Sequence, residues 1–494
     1  MIHCIRSPKL GEGQPKLKGR IPIPASKSHT IRALLIAAFA QGSSRLRRPL
    51  VSLDTNSCRA VVENLGVEVE VDGEDWVLHG IGGKVKPSKH SVVNMDVGNS
   101  GTTLYFATAL AALFNCKVRF DGDAQIRRRS AAPLLSALAV LGAKIEDAEN
   151  GCAPFTICGP IRPGTITVDC PTSQFLSALL LAAPLIASNY QDNKVSASEG
   201  MSSKVNSSSS TDTEEHSKAE NGKQVPVSTQ IEVRSLNEAP YVNITLDWLN
   251  SQDITYTRDG WRRFDIPYGQ SYQAFDKMIP ADWSSATFFL VAAAITGSQV
   301  IFEGLDLEDP QGDKKVVDML RTMGCKIDGI TGGIRIVGGP LRGGTFNLNA
   351  TPDALPAMAV IGCYASGTTR LVNVPQARIK ETDRIAVMCT ELGLLGASIE
   401  ELPDGLVIQG SLGLKNTDSQ SGTESVQSHS DGTASHRQAT DFITVDGHGD
   451  HRVVMALAVA ALGIRKTVCI QGAEAVEVTF PNFFNLLNHA LERT

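Results

Sequence analysis

Residues 378–385, RIKETDRI, place five ionisable side chains in eight positions: Arg378, Lys380, Glu381, Asp383 and Arg384. A strand-like run, TTRLVNV, precedes them and an apolar helical run, IAVMCTELGLLG, follows. A charge run of this kind ordinarily marks a solvated helix end. Here the spacing allows more. Lys380 and Arg384 stand four apart, which on a helix puts two cations on one face. Glu381 beside them is expected to be held ionised by charge attraction unless desolvation raises its pKa. Other basic residues fall at other helix starts: Lys27 and Arg32 in SKSHTIRALLIAAFA, Arg129 in QIRRRSAA, Arg452 in DHRVVMALAVAAL. Ser, Thr, Asn and Asp before an apolar run signal a helix N-terminus. Such a terminus offers unpaired N–H donors and partial positive charge, which suit carboxylate and phosphate groups. Cations recurring at equivalent caps imply a cleft for a small molecule carrying several negative charges.

The caps belong to a repeat. Six segments pair a short polar cluster with an Ala/Leu-rich helix, beginning at Ser26, Asn99, Thr172, Asp282, Pro352 and Asp450. Most are followed by a second helix that ends in a Gly turn into a strand, as in ENLGVEVEV, AVLGAKIED, RTMGCKIDG and LLGASIEE. The period is roughly 70 residues except where low-complexity text intervenes, at about 190–230 and 416–439. Both stretches are rich in Ser and charge and poor in aromatics, so they cannot bury enough apolar area to offset their ordering entropy. They read as disordered surface insertions. Short β runs between the helices (KVRFDG, TITVD, QVIFEG, GIRIVG) make each unit α/β. Six copies predict two pseudo-symmetric domains of three units, with their small-residue-rich helices packed closely inside.

At 494 residues the chain is long enough for two or three domains with proper cores. A net charge of −6 argues against a general nucleic-acid binder, so an anionic substrate must be drawn by a local cluster. The ten cysteines are scattered with no C-x-x-C spacing and read as reduced thiols. The first residues lack the apolar core of a signal peptide, and no run approaches a membrane span. The expectation is a cytoplasmic monomer that takes small anions and binds neither membrane nor nucleic acid. In the triplet Arg127–Arg129, Arg129 alone is expected to face the cleft. His448 and His451, around Asp450, are read as solvent-facing loop histidines and not as metal ligands, since no third ligand is evident.

PASKSHTIRALLIAA, GNSGTT, TSQFLSALLLAAP, ATPDALPAMAV, RIKETDRI, GDHRVVMALA and TFPNFF together resemble the 5-enolpyruvylshikimate-3-phosphate synthase family, the carboxyvinyl transferases of the shikimate pathway. The match runs in order from about Ile21 to Phe484, interrupted by the two insertions. It implies an α/β fold, a two-domain inverted α/β barrel in which each domain holds three βαβαββ units and the active site lies in the interdomain cleft. The resemblance puts residues 21–245 in a first lobe and residues 1–20 with 246–494 in a second, with hinge crossovers near 20 and 245. It implies transfer of the enolpyruvyl group of phosphoenolpyruvate to the 5-hydroxyl of shikimate 3-phosphate, with release of phosphate and with no metal or organic cofactor.

Carried over by position, the resemblance implies that Lys27, Ser28 and Arg32 hold phosphate on one side and the shikimate carboxylate on the other. Thr172 and Ser173 would cap the shikimate phosphate, and Gln174 would lie over the ring. Asp353 would accept the proton of the 5-hydroxyl, Lys380 would bridge that hydroxyl and the phosphate, and Glu381 would protonate the methylene carbon. Arg384 and Arg452 would clamp the pyruvyl carboxylate, and Arg129 would bind its phosphate. Gly101 would sit where a side chain collides with phosphoenolpyruvate. These types suit the chemistry. Bidentate Arg fits planar anions, and two carboxylates can divide the acid and base roles.

Five positions depart from the family pattern. Tyr105 stands for Arg, Val478 for Lys, Glu238 for the Ser of S-K-P-Y, Gln376 for Asn in the shikimate site, and Ser130 for Pro. Val478 removes a cation from the pyruvyl site and Glu238 brings an anion near a phosphate site. Three readings stay open: the family reaction; a relative recruited to another cyclohexene acid, phosphorylated or not, by transfer or elimination; and a non-catalytic binding homologue, against which the intact Lys27, Asp353, Glu381 and Arg384 speak. The cell-wall carboxyvinyl transferase, which shares the fold, would want a Cys in QIRRRSAA, and none is there.

Overall fold

The computed structural model describes residues 1–6, 15–82, 92–187, 228–410 and 442–492. The insertion at 416–439 lies outside the described residues, as does 190–227 of the other. Residues 228–230, expected to belong to that insertion, already open the strand Ser228–Leu236.

One unit shows how the repeat is built. Strand Val92–Asp96 runs parallel to Lys117–Asp121, with helix Gly101–Ala111 between them in sequence. Helix Ala132–Val140 then leads into Lys144–Glu146, and Phe155–Cys158 pairs antiparallel with both Lys144–Glu146 and Lys117–Asp121. That is the order βαβαββ. Among the described residues the strands make six such sheets, five of four strands and one of three. The second helix of a unit stops where its Gly turns left-handed: Gly66, Gly142, Gly324 and Gly396 all have φ between 93° and 116°. Only glycine adopts this conformation without steric cost, so the four Gly turns read in the sequence stand where a side chain would be strained.

The cap-led helices are buried on every side; all of Trp283–Ile295 is inside. Their Ala-rich surfaces let them lie close together at the centre of each lobe, with the small sheets outside. The result is an inverted α/β barrel of two lobes with two apolar cores, one drawn from Ile31 to Ile279, the other from Leu17–Ile23 and Ala281–Ala490.

The lobes exchange strands. Arg20–Pro22 completes the sheet of Gln299–Glu303, and Asp276–Met278 completes that of Gln41–Arg47. The two passages lie side by side, bridged at Ala25 and Ala281. The crossover expected near 245 is therefore displaced. Position 245 falls inside helix Ala239–Ser251, whose Val242, Ile244, Trp248 and Leu249 are buried in the first core. Trp248 anchors it, its indole N–H donating to His29 Nδ1 at 3.1 Å. Exposing a side chain of this size would cost about 1.5–3 kcal/mol, so burial fixes the helix in the first lobe.

The cysteine reading is corrected at one pair. Cys4 lies directly opposite Cys469 in the antiparallel pairing of Ile2–Ile5 with Thr467–Gln471, and the two form a disulfide with Cα atoms 4.1 Å apart. Their separation of 465 residues hid the pairing. The other eight cysteines are free. Among the described residues no helix is long and apolar enough to cross a membrane.

Candidate active site

The repeat brings the starts of the six core helices to one cleft between the lobes. At five of them the predicted polar residue caps the helix: Ser26, Ser100, Thr172, Asp282 and Asp450 each accept from a backbone N–H of the first turn. The sixth differs. Pro352–Ala354 forms a 3₁₀ turn before helix Leu355–Tyr364 with no side-chain cap, which leaves the Asp353 carboxylate free to face the cleft.

Two connected spaces follow. A narrow cavity of about 50 Å³ is walled by Lys27, Ser28, Arg32, Ser173, Gln174 and Glu238 among others. A wider recess of about 850 Å³ adds Tyr105, Arg129, Gln376 and Glu381. Lys380, Asp353 and Arg452 line both.

The RIKETDRI stretch is only partly helical. Asp383 caps helix Arg384–Leu394, accepting from Ile385 N and Ala386 N at 3.1 Å, and is itself held by Arg378 Nη1 at 2.7 Å. Lys380 lies before the helix, so the expected shared helical face with Arg384 does not form. The turn sends the two cations to different carboxylates instead. Lys380 Nζ donates to Glu238 Oε1. Arg384, fully buried, donates to Asp353 Oδ1 at 2.8 Å, Glu381 Oε2 at 2.6 Å and Asp450 Oδ2 at 2.7 Å. It lies behind the two cleft carboxylates, not on the cavity wall, and fixes both.

Other cations of the cleft also hold internal carboxylates. Lys27 pairs with Asp54 at 3.1 Å, Arg452 with Asp353 at 2.9 Å, and Arg129 Nη2 lies 3.3 Å from Glu381. Yet among the described residues Arg129 Nε and Nη2 and Arg452 Nε are buried without a hydrogen-bond acceptor. Buried donors of this kind are rarely left unmet in a folded protein, and an anion entering the recess would satisfy them. Arg32 differs, since its donors have acceptors but its charge has no counter-charge. It donates to Thr245 Oγ1 at 2.8 Å and to the carbonyls of Ser28 and Tyr241, and stacks over Phe106, but among the described residues it pairs with no carboxylate. Burial lowers its pKa to about 9. A ligand carboxylate would restore the balance.

Burial pushes the Glu381 carboxyl up, but the attraction of Arg384 and Arg129 outweighs it and holds the group well below the usual carboxylate range. Asp353 is likewise pushed up by burial and pulled down further by Arg452, Lys380 and Arg384. Both are therefore ionised near neutral pH. Lys380 is held above the ordinary lysine value, since Glu238 and Asp353 outweigh its burial.

Two participants escaped the sequence. Tyr241 O–H lies 2.9 Å from Asp313 Oδ1 and 3.4 Å from Asp353 Oδ2. Burial and the Asp353 charge raise the Asp313 pKa to about 7. One phenolic proton cannot serve two carboxylates, so below that pH Asp313 carries a proton and the chain runs Asp313 to Tyr241 to Asp353. Only the P-Y pair in NEAPY and the Q-G-D turn could have pointed to them, and they stand 72 residues apart.

The remaining residues fall as follows. Gln174 Nε2 donates to Thr102 Oγ1 at 2.8 Å, holding its amide across the cavity mouth. Gln376 Nε2 donates to the Asn349 carbonyl at 3.0 Å. A Cβ on Gly101 would lie 2.8 Å from Arg129 Nη1, so the collision is with the arginine. Tyr105 packs edge-on against Phe175 with ring centres 4.9 Å apart, and burial raises its pKa to about 12. Val478 ends the short helix Ala473–Val478 and lines neither space. Arg127 pairs outward with Asp121 as expected, but Arg128 lines the recess together with Arg129. The histidine reading is corrected at His451, which is fully buried against Arg452 and pushed well below its ordinary pKa by burial and that charge. His448 bonds Glu391 at 2.9 Å on the rim.

The family model for EPSP synthase (3-phosphoshikimate 1-carboxyvinyltransferase) matches residues 12–208 and 225–487. A 3-phosphoshikimate 1-carboxyvinyltransferase of Acetivibrio thermocellus is 42% identical over 475 residues, 96% of both chains. Another, of Halobacterium salinarum, is 36% identical over 497 residues, 98% of both. A solved EPSP synthase of Acinetobacter baumannii superposes with a TM-score of 0.71 at 23% identity, over 99% of this chain and 98% of that one, a likeness of fold.

Proposed function

The chain belongs to the EPSP synthase family, and we propose how its cleft performs that family's reaction, transfer of the enolpyruvyl group of phosphoenolpyruvate to the 5-hydroxyl of shikimate 3-phosphate with release of phosphate. Residues 25–280 serve as one lobe and the remainder as the other, meeting at the paired passages near Ala25 and Ala281.

The observation that carries the reading is Arg384 holding two carboxylates, Asp353 and Glu381, at the junction of the two spaces. The acceptor lies in the narrow cavity with its carboxylate on Arg32 and Ser28, its ring under Gln174 and beside Gln376, and its 5-hydroxyl toward Asp353. Thr172, Ser173 and Lys380 form the cradle for its phosphate. Phosphoenolpyruvate lies in the recess, its phosphate on Lys27 and Arg129 beside Gly101. Its carboxylate takes the open Arg452 donor beside Asp353.

That binding supplies the acid. An anion bound on Arg129 and Arg452 beside Glu381 weakens the positive field that keeps it ionised, and burial then favours its protonated form. Asp353 takes the hydroxyl proton as the oxygen bonds C2 of phosphoenolpyruvate, and Glu381 gives its proton to C3. In the second half the C2–O bond to phosphate breaks with its electron pair leaving on phosphate. C3 returns its proton to Glu381, and Lys27 and Arg129 stabilise the leaving charge. The departing phosphate takes up the proton left on Asp353, which restores the base; until then Asp353 can share that proton with the Tyr241–Asp313 chain.

Both walls of the cleft come from one chain, which supports action as a monomer on small anions, and the net charge of −6 supports no nucleic-acid partner. The biosynthetic reaction supports a cytoplasmic place, and the Cys4–Cys469 disulfide is a feature that points the other way. Phosphate release from phosphoenolpyruvate that depends on shikimate 3-phosphate, with the enolpyruvyl ether identified by mass, tests the assignment. No release from folded protein overturns it.

A further inference from the structure

His29 lines neither of the two spaces, yet it is 2% exposed and sits within the helix start that does, among Lys27, Ser28 and Arg32 on helix Lys27–Phe39. Its Nδ1 accepts from the indole N–H of Trp248 at 3.1 Å. That bond fixes the tautomer: the ring is neutral and its one proton is on Nε2. Nε2 lies 3.4 Å from Asp309 Oδ1, itself a buried residue. Trp248 packs in the first apolar core, whereas Leu305 and Val316, on either side of Asp309, pack in the second. The imidazole therefore spans the boundary between the lobes. Among the described residues Nε2 makes no well-aligned hydrogen bond, which leaves Asp309 as its only charged neighbour. A buried donor is seldom left unmet, and a slight approach of the lobes would close this bond.

Asp309 belongs to a turn that is anchored on its own lobe and reaches the other twice. Asp309 Oδ1 accepts from Gln311 N at 2.9 Å. Gln311 donates through Nε2 to the Ala281 carbonyl at 2.8 Å and accepts from Trp283 N at 3.1 Å, so the turn is fixed to the passage between the lobes. Two residues further on, Asp313 accepts from Tyr241 O–H at 2.9 Å. His29 and Tyr241 lie on helices Lys27–Phe39 and Ala239–Ser251, which the Trp248 bond ties to each other. The turn 309–313 holds both.

We propose that His29 is a positioning residue: with Asp309 it forms a clasp that sets how the wall bearing Asp353, Glu381 and Arg452 faces the wall bearing Lys27, Arg32 and Arg129. Residues that set the angle between two lobes lie at element ends away from the chemistry, as His29 does. The consequence differs between the two substrates as placed above, a placement on which this inference rests. Most groups assigned to the acceptor, Ser28, Arg32, Thr172, Ser173 and Gln174, are on one lobe. Phosphoenolpyruvate is held from both, by Lys27 and Arg129 on one and by Arg452 on the other. A changed seat between the lobes therefore falls on phosphoenolpyruvate first.

His29→Leu keeps the volume and removes both polar contacts, whereas His29→Gln keeps an acceptor for Trp248 and a donor for Asp309. Steady-state rates with both substrates, beside thermal melts, compare them. His29→Leu should raise KM for phosphoenolpyruvate roughly tenfold or more and KM for the acceptor less than about threefold. His29→Gln should bring KM for phosphoenolpyruvate back to within about threefold of wild type. Asp309→Ala breaks the same contact from the other lobe and stands in if the leucine variant does not fold. It should show the same split, and adding it to His29→Leu should cause little further rise, since one contact is lost in both. An unchanged KM for phosphoenolpyruvate, an equal rise for both substrates, or no rescue by glutamine in folded protein overturns the proposal. Small-angle X-ray scattering of the substrate-free protein reads the clasp without turnover. His29→Leu and Asp309→Ala should be more extended than wild type and His29→Gln should not; equal dimensions throughout overturn the proposal. Failure of the assigned reaction is separate: phosphate release is then absent from wild type while the scattering difference remains.

Discussion

Arg384 and Asp450 form a fully buried ion pair, Nε to Oδ2 at 2.7 Å and Nη2 to Oδ1 at 3.2 Å. Asp450 Oδ1 also accepts from Arg452 N at 2.9 Å, capping helix His451–Ala461. A helix start thus sets one guanidinium, and that guanidinium sets the two carboxylates assigned to the chemistry.

Removing one partner of such a pair strands the other. Arg384→Ala is expected to lower stability by about 3–5 kcal/mol and to abolish turnover. Arg384→Lys keeps the charge but cannot reach three carboxylates at once, so it should lose most activity with a smaller loss of stability. Urea unfolding alongside steady-state rates checks both. Equal stability of the alanine variant would contradict the pairing.

The Asp313–Tyr241–Asp353 chain predicts a pH signature in stability. With its folded pKa raised to about 7, Asp313 binds its proton more tightly folded than unfolded, where a carboxyl titrates near ~4. Stability should then fall as pH rises from about 4 to about 7. The depressed Glu381 and Asp353 act oppositely: they stabilise above the ordinary carboxylate range and that stability is lost on acidification below it. Unfolding followed against pH in Asp313→Asn should lack the decline between 4 and 7 and keep the acid loss. An unchanged profile would remove Asp313 from the chain.

At Gly101 a methyl group would meet the far end of Arg129, which can move. Gly101→Ala should therefore leave the melting temperature nearly unchanged while displacing the guanidinium from its anion. A weakened charge-assisted contact corresponds to about 1.5–3 kcal/mol, or roughly a ten- to hundredfold loss in kcat/KM for phosphoenolpyruvate. That loss should appear in KM for phosphoenolpyruvate more than in KM for the acceptor. An equal effect on both substrates would count against Arg129 as the phosphate ligand.

Much of this arrangement is local and therefore legible in sequence. The cap residues Ser26, Ser100, Thr172, Asp282 and Asp450, and the left-handed Gly66, Gly142, Gly324 and Gly396, act within one or two turns of their own position. Local signals misled where the chain breaks its own pattern. The four-residue spacing suggests a helical face shared by Lys380 and Arg384, but the helix starts only at Arg384, and the turn at Lys380–Asp383 leaves no periodic mark. What depends on distant pairing was not visible: Cys4 opposite Cys469, Asp313 beside Tyr241, and the passage between lobes near 280 instead of 245, which the burial of Trp248 decides. Glu238 stood out as a departure, but its seat among Thr172, Ser173 and Lys380 exists only in the folded chain.

The central claim is that Glu381, held between Arg384 and Arg129, supplies the proton to phosphoenolpyruvate. The most direct measurement is phosphate release from phosphoenolpyruvate with shikimate 3-phosphate, for wild type and Glu381→Gln side by side. The account predicts release by the wild type and a fall of roughly 10²–10⁴-fold or more in a variant that melts as the wild type does. Undiminished release by Glu381→Gln would contradict it.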